Sequence, residues 1–181
     1  MRLISIQPIV IYNKIMRTGV YKPRLERSQF YKYDSFVGAY KWLIERMKEK
    51  IGKPPEGVTA PVWAWHTLHK NATYRGCGFK SDLVRMVIEV PNDEVLLTDT
   101  IKWNSILADS RVPTDGNSWE EIEWYHGLGE EEKVSVKLFS WHKVFNINDA
   151  NEIQATFWTL RREQILDARW LKPIKEFKGA S

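Results

Sequence analysis

Nine residues of this chain, Pro61-Val-Trp-Ala-Trp-His-Thr-Leu-His69, hold two tryptophans and two histidines, side chains that stack, carry protons and ligate metals. In a strand, alternation sends Trp63, Trp65 and Thr67 to one face and Val62, Ala64, His66 and Leu68 to the other. Two indoles on one strand face form either an apolar plug or a flat surface on which a ring-shaped ligand stacks. Trp63, Trp65 and His66 are therefore candidate ligand-binding residues. The spacing of His66 and His69 suits one face of a helix, whereas a strand separates them. No cysteine or carboxylate stands beside them at a ligand interval, so we expect no metal site.

Three other groups have chemistry to offer. Glu163, in Thr159-Leu-Arg-Arg-Glu-Gln-Ile165, is a carboxylate among arginines near the end of an apolar run. On a late strand such a group can orient a ribose hydroxyl or stabilise a cationic sugar transition state, with Arg161 on the same face to grip phosphate. Its plainer reading is a salt-bridged surface residue. Cys77 lies between Gly76 and Gly78, with Arg75 before it and Lys80 soon after. Those cations favour a thiolate, but a nucleophile also needs a placed base, and we read Cys77 as a surface thiol on a turn. The third group interleaves cations with aromatics from Arg24 to Tyr33, with Lys14, Arg17 and Lys22 adding charge close by. Arg24, Arg27 and Tyr31 are its members suited to phosphate contact and base stacking, and Arg75 is a further cation of the same kind. The phosphate-loop, dinucleotide-fingerprint, zincin, hydrolase-elbow and paired-cysteine motifs do not occur in the sequence.

The elements that must position these residues are legible in part. Leu3 to Gln7 predicts a first strand, Pro8 opens a helix, and Gly19 stops it. Residues 20–33 fit a surface loop. Asp34 is placed to cap the longest helix, Ser35 to Ile51, with Phe36, Tyr40, Leu43, Ile44 and Met47 as its apolar stripe. Leu83 to Val90 and Val95 to Thr98 predict strands, and Asp99 caps a short helix from Thr100 to Leu107. Residues 109–133, rich in Gly, Asp and Glu, predict a mobile acidic excursion. Val134 to Val144 fits a strand or a helical turn, and Ile153 to Arg162 a strand or a helix continuing to Asp167.

At 181 residues the chain suits one domain, and 43% hydrophobic with 28% charged residues is ordinary for a globular protein. Nine tryptophans are not ordinary, and each indole N–H needs a partner when buried. A net charge of +4 permits an anionic partner without requiring one. One cysteine excludes an intrachain disulfide, and no apolar window reaches the roughly 20 residues of a membrane span. With an N-terminal apolar run too short for a signal peptide, these features predict a cytoplasmic protein with no membrane partner.

Several phrases together resemble a small bacterial family known only as a domain of unknown function. They are Ile6-Gln-Pro8, the run at 53–58 leading into Pro61-Val-Trp-Ala-Trp65, Glu94-Val-Leu-Leu-Thr-Asp99 with Trp103, Ser140-Trp141 with Phe145, and Ile153-Gln-Ala-Thr-Phe-Trp158. That family brings no activity with it. The order of elements also resembles NAD-dependent ADP-ribosyltransferases, which use a late-strand glutamate and an Arg or His on the first strand. The resemblance implies Glu163 as the catalytic residue and NAD as the cofactor, although the first strand here offers Ser5 and Gln7. The opening Arg2 to Val10 with Gly19 is similar to small RNA-binding barrels of the PUA-like kind.

These readings converge on an α+β single domain, with a mixed or antiparallel sheet packed against one long helix and shorter helices. The leading functional expectation is a domain that binds nucleotide or nucleic acid through a basic, aromatic cleft, with an ADP-ribosyltransferase-like site as its enzymatic form. The alternative is a noncatalytic protein-interaction factor of phage or defence-system type, whose tryptophans are structural.

Overall fold

A computed structural model describes residues 1–67, 82–114 and 118–171. Strand β1 (Arg2–Pro8) passes directly into helix α1 (Ile9–Thr18), with Pro8 at the N-cap where its missing N–H costs nothing. Gly19 ends α1 at φ 81°, and its N–H bonds to the Ile15 carbonyl at 2.8 Å. A side chain there would be strained in the left-handed region, so glycine is the residue the turn requires.

The next segment holds β2 (Val20–Tyr21) and a 3-10 turn (Leu25–Arg27), then α2 (Asp34–Ile51). Tyr33 occupies the N-cap of α2, and Asp34 lies inside the first turn, where its charge still opposes the helix dipole. The buried line of α2 is Ala39, Leu43 and Met47, with Phe36, Tyr40 and Ile44 half-buried beside it. Strands β3 (Val62–Thr67), β4 (Leu83–Glu89) and β5 (Leu96–Asp99) follow. Asp99 caps α3 (Thr100–Leu107) as its sequence predicts, accepting from the Ile101 and Lys102 amides at 2.8 and 3.2 Å.

The acidic stretch at 109–133 contains α4 (Trp119–Gly127) and the start of α5 (Glu130–Trp141), so much of it is helical. Its carboxylates have a local cause. Glu120 and Glu121 sit in the first turn of α4, and Glu130, Glu131 and Glu132 in that of α5, where negative charge offsets the exposed N–H groups. Ser118 caps α4 through the Glu121 amide at 3.2 Å.

The last third corrects the expectation of one strand or helix from Ile153 onward. β6 (Ile153–Phe157) stops, β7 (Leu160–Arg161) turns away to pair with β2, a 3-10 turn takes Arg162–Gln164, and β8 (Ile165–Leu171) returns to the main sheet. The turn is held by the Gln164 side chain, which accepts the Arg161 amide at 2.7 Å, and by the Arg162 amide donating to the Gly19 carbonyl at 2.8 Å.

The main sheet runs β5-β6-β3-β1-β4-β8, antiparallel at every step, so the tryptophan strand is central. One face buries Leu3, Val62, Ala64, Val84, Met86, Ile88 and Phe157 with Ile15 of α1. The other buries Leu96 with Leu43 and Met47 of α2, Trp103 and Ile106 of α3, and Trp141 at the end of α5. Two layers of helix on one antiparallel sheet make this an α+β fold. Among the described residues no helix is long and apolar enough to cross a membrane.

Candidate ligand-binding cleft

Between β1 and β3 the sheet comes apart. β1 pairs with β4 along its length, from Arg2 opposite Glu89 to Pro8 opposite Leu83. With β3, on its other side, the described residues register one pair, Ile4 opposite Trp65. Past that pair Ser5 bridges the gap with its hydroxyl, which donates to the Trp63 carbonyl at 3.3 Å and accepts from Gln7 Nε2 at 3.1 Å. The opening is a cleft of about 280 Å³ lined by Ile6, Gln7, Tyr21, Pro61, Trp63, Trp65 and Gln154. That lies just below the roughly 300–1,000 Å³ usual for small-molecule sites, so it suits one ring system of a larger ligand.

Among the described residues the lining carries no charged side chain. It offers two indoles, a phenol and two carboxamides, a set that recognises flat, neutral, hydrogen-bonding groups. Gln154 Oε1 is buried with no hydrogen-bond partner among the described residues, so a ligand N–H would remove a desolvation cost. Charge stands behind one wall instead. Lys14 Nζ lies 5.7 Å over the Tyr21 ring, and Arg27 is close enough to pull the Tyr21 phenol back down after burial has pushed it up.

The two tryptophans divide their work. Trp63 packs on the helical side, 5.2 Å from the Trp103 ring and 6.1 Å edge-on from Tyr40. Although Tyr40 as a residue is half-buried, its hydroxyl end lies deep enough that burial holds the phenol far above the ordinary value of 10.0, the neighbouring Trp63 indole lowering it only in part. The Trp63 N–H is nevertheless buried without a well-formed hydrogen bond among the described residues, so its contact with Tyr40 is proximity more than bonding. Trp65 has no ring partner among the described residues and leaves its face to the cleft.

Other residues singled out by the sequence lie elsewhere. His66 is exposed, its Nδ1 3.0 Å from the Thr67 hydroxyl. Arg24 is exposed and paired with Glu26 at 2.7 Å, and Tyr31 is exposed at the surface. Arg161 forms ion pairs with Glu94 at 3.1 Å and Glu163 at 3.3 Å, which brings Arg161 and Glu163 together as the sequence suggests. Glu163 is open to solvent in the turn after β7 and does not line the cleft. His69, Arg75, Cys77 and Lys80 lie outside the described residues. Among the described residues no three His, Cys, Asp or Glu side chains converge as metal ligands.

The cleft and the strands that frame it are built from the phrases that carry the family likeness, Ile6-Gln-Pro8, Pro61-Val-Trp-Ala-Trp65 and Ile153-Gln-Ala-Thr-Phe-Trp158. The family model described as "Domain of unknown function (DUF3841)" matches residues 2–166. The chain belongs to that family. No curated protein and no solved structure matches it. The DUF3841 match takes in every cleft residue named above, and Glu163 as well. Sequence reasoning missed Tyr21 and Gln154 as members of the cleft. For Gln154 the signal was its place one step inside β6, but only the register, Trp65 opposite Gln154, brings it to the site.

Proposed function

We propose that this DUF3841 domain binds a nucleotide or nucleic acid, seating a base in the cleft between β1 and β3. The observation that carries the reading is the pairing of a neutral aromatic and carboxamide lining with cations behind Tyr21. A nucleobase is flat and edged with donors and acceptors, so the indoles supply stacking while Gln7 and Gln154 meet its edge. Its phosphate then turns outward toward Lys14 and Arg27. Stacking on an indole contributes about 1–3 kcal/mol per base, enough for measurable binding once phosphate contacts add to it.

Titrating the protein with a mononucleotide, the matching nucleoside and inorganic phosphate, followed by tryptophan fluorescence, tests this. Quenching by the mononucleotide, weaker quenching by the nucleoside, and loss of both in Trp65→Ala are expected. A response to phosphate alone that Trp65→Ala retains would move the site away from the cleft. NAD belongs in the same panel, because the ADP-ribosyltransferase reading makes Glu163 its catalytic residue. That reading needs a product that wild type forms and Glu163→Gln does not.

A noncatalytic protein-interaction role is favoured by a different observation. Trp119 and Phe139, on α4 and α5, are 71% and 80% exposed. Silence toward every nucleotide, together with unchanged fluorescence in Trp65→Ala, would shift weight to that surface.

A further inference from the structure

We infer that the open half of the sheet beside the cleft is a platform for single-stranded nucleic acid, an inference that rests on the cleft reading through their shared residue Trp65. The helices α2, α3 and α5 cover the β5 side of one sheet face, and α1 packs on the opposite face. Alternation fixes what the quarter left uncovered by the described helices carries. Leu3 and Ser5 of β1 and Val84, Met86 and Ile88 of β4 point to the α1 side, so Ile4, Ile6, Arg85 and Val87 point away from it. All four are only half-buried.

The register orders them into rows. Trp65 lies opposite Ile4, Ile4 opposite Val87, and Val87 opposite Asp167. In the next row Ile6 lies opposite Arg85, and Arg85 opposite Arg169. Arg85 and Arg169 therefore occupy facing positions across β4 and β8. Like charges in that position repel; Asp167 offsets the charge of Arg169, and an anion bound at Arg85 removes the repulsion that is left. Asp167 pairs with Arg169 at 3.1 Å, while Arg85 has no ion-pair partner among the described residues. Adjacent strands lie about 4.8 Å apart, and Arg85 stands two strands and Arg169 three strands from the indole, on the same face. An exposed sheet face with an aromatic at one side and paired arginines at the other is suited to a single strand. A base stacks on Trp65 and the following phosphates cross Arg85 and Arg169.

The test compares a labelled ten-nucleotide single strand of mixed sequence, by fluorescence anisotropy, with a mononucleotide, by tryptophan quenching. Wild type should hold the oligonucleotide at least tenfold more tightly than the mononucleotide. Arg85→Gln with Arg169→Gln should abolish that gain and flatten the log–log salt dependence by about 1.4, from 0.7 per lost cation. Mononucleotide quenching should stay as in wild type. Arg169, with a side chain 76% exposed, makes the single variant Arg169→Gln safe for folding, and it should lose part of the same gain. Lys41→Gln, on the exposed side of α2, is the control and should change nothing. Mononucleotide binding without an oligonucleotide gain, a gain that the arginine variants retain, or equal affinity for a duplex of the same length overturns the platform and leaves the cleft standing. Binding of neither ligand overturns both.

Discussion

Trp63 and Trp65 are two residues apart, yet the fold gives them different jobs. Trp63 is wedged between Tyr40 and Trp103, so truncating it leaves a hole in packed aromatics. Trp63→Ala is expected to lower unfolding free energy by about 3 kcal/mol, and Trp65→Ala by at least about 1 kcal/mol less. Urea titration of both variants checks this, and equal losses would mean that Trp65 is structural too. Tyr40 yields a pH prediction. Burial raises its folded pKa above the unfolded value, so the stability it contributes is complete below about pH 10 and is lost as pH rises beyond that. Lysines titrate in the same range, so the informative quantity is a difference. Between pH 9 and 11 the wild type should lose stability more steeply than Tyr40→Phe, and parallel curves would contradict the assignment.

At the scale of elements, α3 and α4 show how caps were read well in one place and missed in another. Asp99 followed by an apolar pattern announced α3, and Asp99→Ala should cost about 1–2 kcal/mol by freeing two amides. The acidic stretch before α5 concealed its helices because clustered glutamates also mark loops, and only their position in first turns tells the two apart. Arg111 lies over the Tyr125 ring at 5.1 Å and pairs with Glu121, which also accepts from Thr114, so α4 is tied back to the chain leaving α3. Glu121→Gln should speed amide exchange in α4 and leave β3 unchanged. Exchange unaltered in α4 would show that its apolar contacts suffice.

For the molecule as a whole, α+β class, the central tryptophan strand and the long helix were legible because alternation and helical periodicity are local signals. The cleft was not, since it arises from β1 and β3 separating beyond Ile4 and Trp65, and no local pattern encodes where two strands part. The late segment failed for a related reason. Leu160 and Arg161 prefer extended backbone in any case, and their partner, β2, is a two-residue strand with little periodicity of its own. Basic residues were legible as types, but their grouping depends on fold. Arg27 and Lys14 meet at Tyr21, while Arg24 and Arg161 are engaged by carboxylates at the surface.

The nine tryptophans supply nine indole N–H probes spread over the molecule, and that makes the central claim directly measurable. A mononucleotide titrated into isotope-labelled protein should move the indole resonances of Trp63 and Trp65 most, with Trp119, Trp124 and Trp170, all exposed and away from the cleft, left in place. Shifts confined to Trp119 and Trp124, or none at saturating nucleotide, would contradict a base-binding cleft between β1 and β3.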